Sequence, residues 1–115
     1  MSDLDDLTVR FREFSKERDW EQFHDPRSLI LALVGEVGEL AELFQWPSDS
    51  GDDAHDPRST LHRRSSDEIA DVLLYLVRLA DVLQIDLIEA ANNKLDAASI
   101  RFPRDDFHGR APAKH

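Results

Sequence analysis

Apolar residues recur at helical spacing along most of this chain, and helix-start and helix-stop residues bound each run. The clearest run is Leu29, Leu33, Val37, Leu40, Ala41 and Phe44, which repeats with the period of one helix face. Asp25-Pro26 precedes it as an N-cap followed by proline at the first helical position, and Pro47 is expected to end the helix at Trp46. Strand patterns are weak, so the sequence predicts an all-α fold.

Three further segments have the same punctuation and bring the prediction to four helices. They are expected at about residues 2–18, 60–83 and 86–102. Asp86 with Glu89 forms a capping-box pattern at the start of the last one. Four helices predict an antiparallel bundle, and because two of them are short, we expect oligomerisation to complete its core. We assign residues 1–103 to the domain, 104–115 to a flexible C-terminal tail and 47–59 to a mobile loop.

The charge balance excludes several classes of partner. Lys and Arg number 14 against 24 Asp and Glu, a formal charge of −10, so a nucleic-acid partner is not expected because phosphates would be repelled. The chain has no Cys, no glycine-rich phosphate loop and no membrane-length apolar run. An acidic start without a signal-peptide pattern predicts a cytoplasmic location. If such a chain handles phosphates, it needs metal ions between them and its own carboxylates.

Two pairs of acids on the second and third predicted helices are the chemically informative feature. Glu36 and Glu39 stand three residues apart, and Glu68 and Asp71 repeat that spacing, which makes each pair neighbours on a helix surface. On a helical wheel each pair lies on the flank of the apolar face, at angles of roughly 60–160° from its centre. Trp46 and Tyr75 share those flanks, and if the helices pack antiparallel, the four carboxylates converge beside aromatic rings.

A divalent metal is one explanation of this arrangement, since partly buried carboxylates without partners are costly. Residues 28–46 contain no Lys or Arg to pair with them. Oxygen-only ligands indicate Mg²⁺, with Mn²⁺ as the alternative. The competing interpretation is a solvated acidic helix face, because such spacings are common on helices without a ligand. Composition and spacing leave both interpretations open.

The same residues resemble a known enzyme family. Glu36-Val37-Gly38-Glu39 and, after 28 intervening residues, Glu68-Ile69-Ala70-Asp71 match the E-x-x-E…E-x-x-D signature of the MazG-like, all-α nucleoside triphosphate pyrophosphohydrolases. The segments 17–24, 31–46 and 71–77 are similar to its dCTP-hydrolysing members, and the resemblance covers roughly residues 11–103. It implies a four-helix MazG-like bundle that assembles as a dimer or tetramer with sites between subunits. It also implies Mg²⁺-dependent hydrolysis between the α and β phosphates.

The resemblance also implies roles for individual residues. The metal-binding acids correspond to Glu36, Glu39, Glu68 and Asp71. The nucleoside pocket corresponds to Trp20, Glu21, Gln22, Phe23, His24, Trp46 and Tyr75. Basic positions associated with phosphate contacts correspond to Lys94 and Arg101. Glu39 is the candidate to orient or deprotonate the attacking water, and it could equally be only a metal ligand.

The prediction is therefore a nucleotide pyrophosphohydrolase that prefers dCTP or modified dCTP analogues and cleanses the nucleotide pool. A broader deoxynucleotide or ribonucleotide pyrophosphatase is the enzymatic alternative. A non-catalytic helical interaction domain is the alternative from another class, and its acids would be only a solvated face.

Overall fold

The computed structural model describes residues 3–46 and 53–112. Within these ranges the chain is helical and has no strand, which confirms the all-α prediction. The α-helices, in order, are α1 (Asp3–Glu17), α2 (Pro26–Glu42), α3 (Thr60–Val82), α4 (Leu87–Arg101) and the short α5 (Arg104–Phe107). One-turn 3₁₀ helices lie at Glu21–Phe23 and Asp53–His55.

Side-chain caps begin three of these helices. Asp25 accepts a hydrogen bond from the Ser28 backbone N–H at 3.1 Å and precedes Pro26 at the first position of α2. Asp86 accepts from the Glu89 N–H at 3.0 Å at the start of α4. Both predicted caps are confirmed. The α3 cap was not predicted: the Ser59 hydroxyl accepts from the His62 N–H at 3.0 Å.

Helix α2 is shorter than its apolar pattern predicts, because it ends at Glu42 rather than at Trp46. The backbone N–H groups of Leu43 and Phe44 bond to the carbonyls of Leu40 and Ala41, at 3.2 and 3.1 Å. These bonds span three residues and close the last turn tightly.

The end of α1 determines where the next aromatic residue lies. Asp19 has a left-handed backbone, with φ of 55°. Its N–H bonds to the Lys16 carbonyl at 3.1 Å, and the Trp20 N–H bonds back to the Ser15 carbonyl at 2.9 Å. This pair of bonds is a Schellman motif. It fixes the start of the segment from Trp20 to His24, which we call the connector.

The chain divides into two compact units after Gln84. In the first unit α3 packs against both α1 and α2, and its contact with α2 is the most extensive. Leu29, Val77 and Ala80 are buried there. In the second unit, which contains α4 and α5, the rings of Phe102 and Phe107 meet edge to face at 5.1 Å. The packing of α4 in a four-helix bundle stays a prediction.

The predicted apolar stripe of α2 is only partly buried. Leu29 is 2% exposed, whereas Val37 and Phe44 are 47% and 44% exposed. Residues 47–52 of the predicted loop lie outside the described residues, as do Ser2 at the predicted first cap and residues 113–115 of the predicted tail. Among the described helices, none is both long enough and apolar enough to cross a membrane.

Candidate metal centre and nucleotide site

Helices α2 and α3 bring three carboxylates together. Glu36, Glu39 and Glu68 each offer an oxygen, and these oxygens lie within 4.8 Å of one another. Glu36 and Glu39 reach the same place because three residues bring a helix almost one turn round. The helices run antiparallel, since Phe44 near the end of α2 lines a cavity with Ser65 of α3, whereas the earlier Glu36 faces Glu68. We call Glu36, Glu39 and Glu68 the acidic cluster.

A hydrogen bond, burial and neighbouring carboxylates act together on Glu36. Glu36 and Glu68 are half-buried, while Glu39 is exposed. The pKa of Glu36 rises from 4.5 to about 7, first through a side-chain hydrogen bond with Glu68, then through desolvation. The nearby charges of Glu39 and Asp71 raise the same pKa further. A carboxyl group holds its proton near neutral pH when no positive charge or hydrogen-bond donor nearby offsets its negative charge.

Asp71 lies at the edge of this arrangement. It stands three residues after Glu68 on α3, is half-buried, and is close enough for its charge to raise the pKa of Glu36. It is not one of the three residues whose oxygens are mutually close. The structure therefore brings together three of the four predicted metal-binding acids and places the fourth beside them.

The chemistry of these side chains fits a hard divalent cation. One oxygen of Glu36 and one oxygen of Glu68, each Oε2, are shielded from solvent and have no hydrogen-bond partner among the described residues. When both groups are ionised, two facing carboxylates can only accept hydrogen bonds and cannot satisfy each other. A cation such as Mg²⁺ or Mn²⁺ takes oxygen ligands of this kind. Glu36, Glu39 and Glu68 could hold such an ion, with Asp71 within reach of its field.

The predicted pocket residues lie on the connector, just after α2 and on α3. Trp20 and Phe23 of the connector are 43% and 61% exposed, and Trp46 after α2 is 63% exposed. The Trp20 ring meets Phe14 of α1 edge to face at 5.6 Å. Tyr75 is half-buried on α3, one turn beyond Asp71. The connector residues Glu21 and Gln22 are exposed.

Sequence reasoning missed the buried arginine that holds the connector. The Arg78 Nε of α3 donates to His24 Nδ1 at 2.9 Å, and its Nη1 donates to Asp81 at 2.9 Å. Arg78 is 5% exposed. The signal in the sequence was an arginine between Val77 and Leu79, in the middle of an apolar run. Its i+3 acid, Asp81, is a further indication.

The two predicted phosphate-contact residues lie in the second unit. Lys94 and Arg101 are exposed on α4, and the Arg101 guanidinium lies 5.0 Å from the centre of the Phe102 ring. Their participation in the site stays a prediction.

Comparison with known proteins identifies the domain. The MazG nucleotide pyrophosphohydrolase domain matches residues 24–103, a span that contains both acid pairs and all of α2 and α3. The chain belongs to the MazG nucleotide pyrophosphohydrolase family. Its fold is also that of a crystallised pyrophosphatase from Archaeoglobus fulgidus DSM 4304, with a TM-score of 0.78 and 35% identity. The alignment covers 90% of this chain and 94% of that one.

Similar sequences carry a more specific name. The dCTP pyrophosphatase 1 of Mus musculus is 51% identical over 102 residues, and that of Homo sapiens is 50% identical over the same length. Each alignment covers 87% of this chain. The chain spans 59% of the length of these curated relatives.

Proposed function

We propose that this protein is a metal-dependent pyrophosphohydrolase that converts dCTP, or modified dCTP analogues, to dCMP and pyrophosphate. Such an activity would cleanse the nucleotide pool. The observation that carries the proposal is the acidic cluster, whose Glu36 and Glu68 each keep a shielded oxygen without a hydrogen-bond partner among the described residues. The preference for dCTP is supported by relatives named dCTP pyrophosphatase 1 that are about half identical to this chain.

In this proposal Glu36, Glu39, Glu68 and Asp71 hold Mg²⁺, or Mn²⁺ as the alternative. When bound, the ion neutralises phosphate charge and polarises the phosphoryl group. The four side chains contribute by holding their oxygens in place before substrate arrives, so the repulsion among them is overcome during folding rather than during catalysis. Removal of the ion leaves that repulsion uncompensated.

Water is added across the bond between the α and β phosphates, and the products are a monophosphate and pyrophosphate. Glu39 is the proposed residue to orient this water or take its proton, because it is the exposed member of the cluster. A general base has to reach the reacting water and accept its proton in the transition state.

Aromatic residues bind the nucleoside in this proposal. The residues are Trp20, Glu21, Gln22, Phe23 and His24 of the connector, with Trp46 and Tyr75. Stacking of one base on an aromatic ring is worth about 1–3 kcal/mol in single-strand binding proteins, and the exposed faces of Trp20 and Trp46 offer such stacking. Lys94 and Arg101 are proposed to contact phosphates.

We also propose that the protein works as a homo-oligomer, a dimer or tetramer. Leu31 and Val34, three residues apart on α2, are 66% and 61% exposed, and Ile69 of α3 is 56% exposed. Neighbouring exposed apolar side chains such as Leu31 and Val34 are typical of interaction surfaces. A second copy covers them in this proposal. A cytoplasmic location and the lack of a nucleic-acid partner stay predictions.

A nucleotide panel tests the proposed function. Purified protein is incubated with each ribo- and deoxynucleoside triphosphate and Mg²⁺, and the products are resolved by chromatography. We expect dCMP and pyrophosphate from dCTP, and no turnover from Glu68→Gln or with a chelator. Even turnover of all bases would support the broader enzyme, and an inert wild-type protein would support the non-catalytic interaction domain.

A further inference from the structure

Four side chains link α1, the connector and α3 through hydrogen bonds. Arg12 of α1 donates from Nε and Nη2 to the two carboxylate oxygens of Asp81, at 3.0 and 2.6 Å. Asp81 also accepts from Arg78 Nη1 at 2.9 Å, and Arg78 Nε donates to His24 Nδ1 at 2.9 Å. We call this chain of bonds, from Arg12 through Asp81 and Arg78 to His24, the arginine network.

The last bond of the arginine network determines the protonation of His24. An arginine guanidinium carries only donors and stays protonated in proteins. His24 Nδ1 must therefore be an unprotonated acceptor, and the ring's proton must lie on Nε2. A proton on Nδ1 would set two N–H groups against each other. His24 is thus held as a neutral ring with a defined tautomer.

The surroundings of His24 favour the same neutral state. Burial and the positive charge of Arg78 lower the pKa of His24, and the carboxylate of Glu21 opposes them more weakly. On the side of α1, the ring meets the uncharged Phe11 edge to face at 6.2 Å. Asp81 lies behind Arg78 and is shared with Arg12, so it does not neutralise the guanidinium completely.

The arginine network contains more charged groups than are needed to hold the connector against α3. Arg78 and Asp81 alone would form a satisfied ion pair, since they are three residues apart on one helix. Arg12 adds a second positive charge, so the group carries a formal charge of +1 in a chain of −10. The carboxylates of Glu13, near Arg12, and of Glu21, near His24, oppose this charge. The arginine network therefore acts on a ligand through the direction in which it holds the His24 ring rather than through a net positive field.

We propose that Arg78 is a positioning residue for the nucleotide site: it fixes the His24 ring so that Nε2–H is its donor, and this donor binds an oxygen of the nucleotide. This inference rests on the proposed function. Among the described residues no hydrogen bond occupies Nε2. The oxygen belongs to the base carbonyl of a pyrimidine or to a phosphate, because both accept from a neutral N–H.

A nitrogen NMR experiment tests the first half of the proposal on the wild-type protein. The imidazole signals of ¹⁵N-labelled protein distinguish the two tautomers, and a His24→Gln variant assigns the His24 signals. We expect the Nε2–H tautomer, retained at a pH below the ordinary histidine pKa of 6.5. A protonated or mixed-tautomer ring at neutral pH would overturn the proposal. This test does not require a substitution of the buried Arg78, so it remains available even if Arg78 variants do not fold.

Two matched arginine variants separate positioning from general stability. Arg78→Met removes the donor to His24, whereas Arg12→Met removes a charge from the same network without touching the ring. We expect Arg78→Met to mix the His24 tautomers and Arg12→Met to leave them unchanged, even if both lower the melting temperature. Arg78→Lys keeps a charged donor and should restore part of the signal. Equal effects of Arg78→Met and Arg12→Met on the His24 signals would overturn the proposal.

Kinetics test the second half. We expect Arg78→Met to raise the KM for dCTP by about 3–10-fold with little change in kcat, the size expected for one hydrogen bond. If the acceptor is the base carbonyl, the KM for dATP, which has no such oxygen, stays unchanged; if it is a phosphate, both KM values rise. Unchanged KM values in both Arg78→Met and His24→Gln would overturn nucleotide binding by His24. Wild-type protein that hydrolyses no nucleotide would contradict the proposed function itself. The NMR experiment would then still decide whether Arg78 fixes the tautomer of His24.

Discussion

Glu36 shares a proton-dependent hydrogen bond with Glu68 in the acidic cluster. Its pKa rises from 4.5 to about 7 in the metal-free protein, so the folded chain holds this proton more tightly than the unfolded chain does. Its contribution to stability is then fully present below pH 4.5 and is lost as the pH rises through about 7. With a chelator present, we predict that the melting temperature of the wild type falls relative to Glu36→Gln between about pH 5 and about pH 8.

Differential scanning calorimetry at both pH values measures this difference directly. Glu36→Gln is the matched control because its amide does not titrate. Mg²⁺ added at the higher pH should raise the melting temperature of the wild type more than that of the variant. Parallel pH profiles for the two proteins would contradict the raised pKa of Glu36.

Glu39 differs from Glu36 in its exposure, which is why it is the proposed residue for the attacking water. We predict that Glu39→Gln lowers kcat for dCTP by about 10²–10⁴-fold, the usual contribution of a positioned general base. Glu42→Gln is the control, because Glu42 is exposed three residues further along α2 and lies outside the acidic cluster. Full turnover by Glu39→Gln would eliminate the base role. A restored rate at high Mg²⁺ would identify Glu39 as a metal ligand only.

The acids could be predicted from the sequence because their spacing is local, whereas the residue that holds His24 could not. Glu36 and Glu39 share a helix flank by periodicity alone. The Arg78–His24 bond joins residues 54 positions apart, so it depends on where the connector lies against α3. Sequence periodicity contains no information about that distance.

At the scale of helices, the N-cap of α3 stabilises the helix that carries Glu68 and Asp71, two of the four proposed metal-binding acids. The Ser59 hydroxyl accepts from the His62 N–H at 3.0 Å, which satisfies one of the free donors at the helix start. We predict that Ser59→Ala lowers the free energy of unfolding by about 0.5–2 kcal/mol. Urea unfolding followed by circular dichroism measures the change.

Ser66→Ala is the matched control for the cap, because Ser66 is an exposed serine inside the same helix. Alanine has the higher helix propensity there, so this variant should be neutral or slightly more stable. An equal loss of stability in both variants would show that the Ser59 hydroxyl does not act as a cap.

The predicted helix starts, and three of the four predicted helix ends, lie within one residue of the structure, whereas the end of α2 does not. Asp25-Pro26 and Asp86 act through side-chain and ring chemistry that is specific to their residue types, and both starts are as expected. The end of α2 depends instead on backbone bonds that close its last turn at Glu42, before the stop residue Pro47. The apolar spacing continues to Phe44, beyond the end of the helix. Phe44 lies in a turn and still lines a cavity, so its position in the spacing does not require a helix.

At the scale of the whole molecule, a chain of this size has a small core. In the first unit the buried apolar side chains are Leu29, Val77 and Ala80, while larger ones on α2 and α3 stay exposed. The fraction of surface that folding buries falls as a chain becomes shorter, so contacts with another copy would add to this core. The helical spacing of the apolar residues on α2 and α3 predicted that they are buried. It could not indicate whether residues of this chain or of a second copy bury them.

A substitution of the exposed residue Val34 tests whether a second copy buries these apolar side chains. Val34 is 61% exposed on α2, three residues after Leu31, which is 66% exposed. We predict that the wild type has a mass in solution of at least twice 13.2 kDa, and that Val34→Asp shifts it toward the monomer because an unpaired carboxylate is costly in an apolar interface. Light scattering coupled to gel filtration measures both masses. Glu13→Lys, a change of charge at an exposed polar position of α1, should leave the mass unchanged. A wild-type protein that hydrolyses dCTP as a monomer would show that its own residues complete the site.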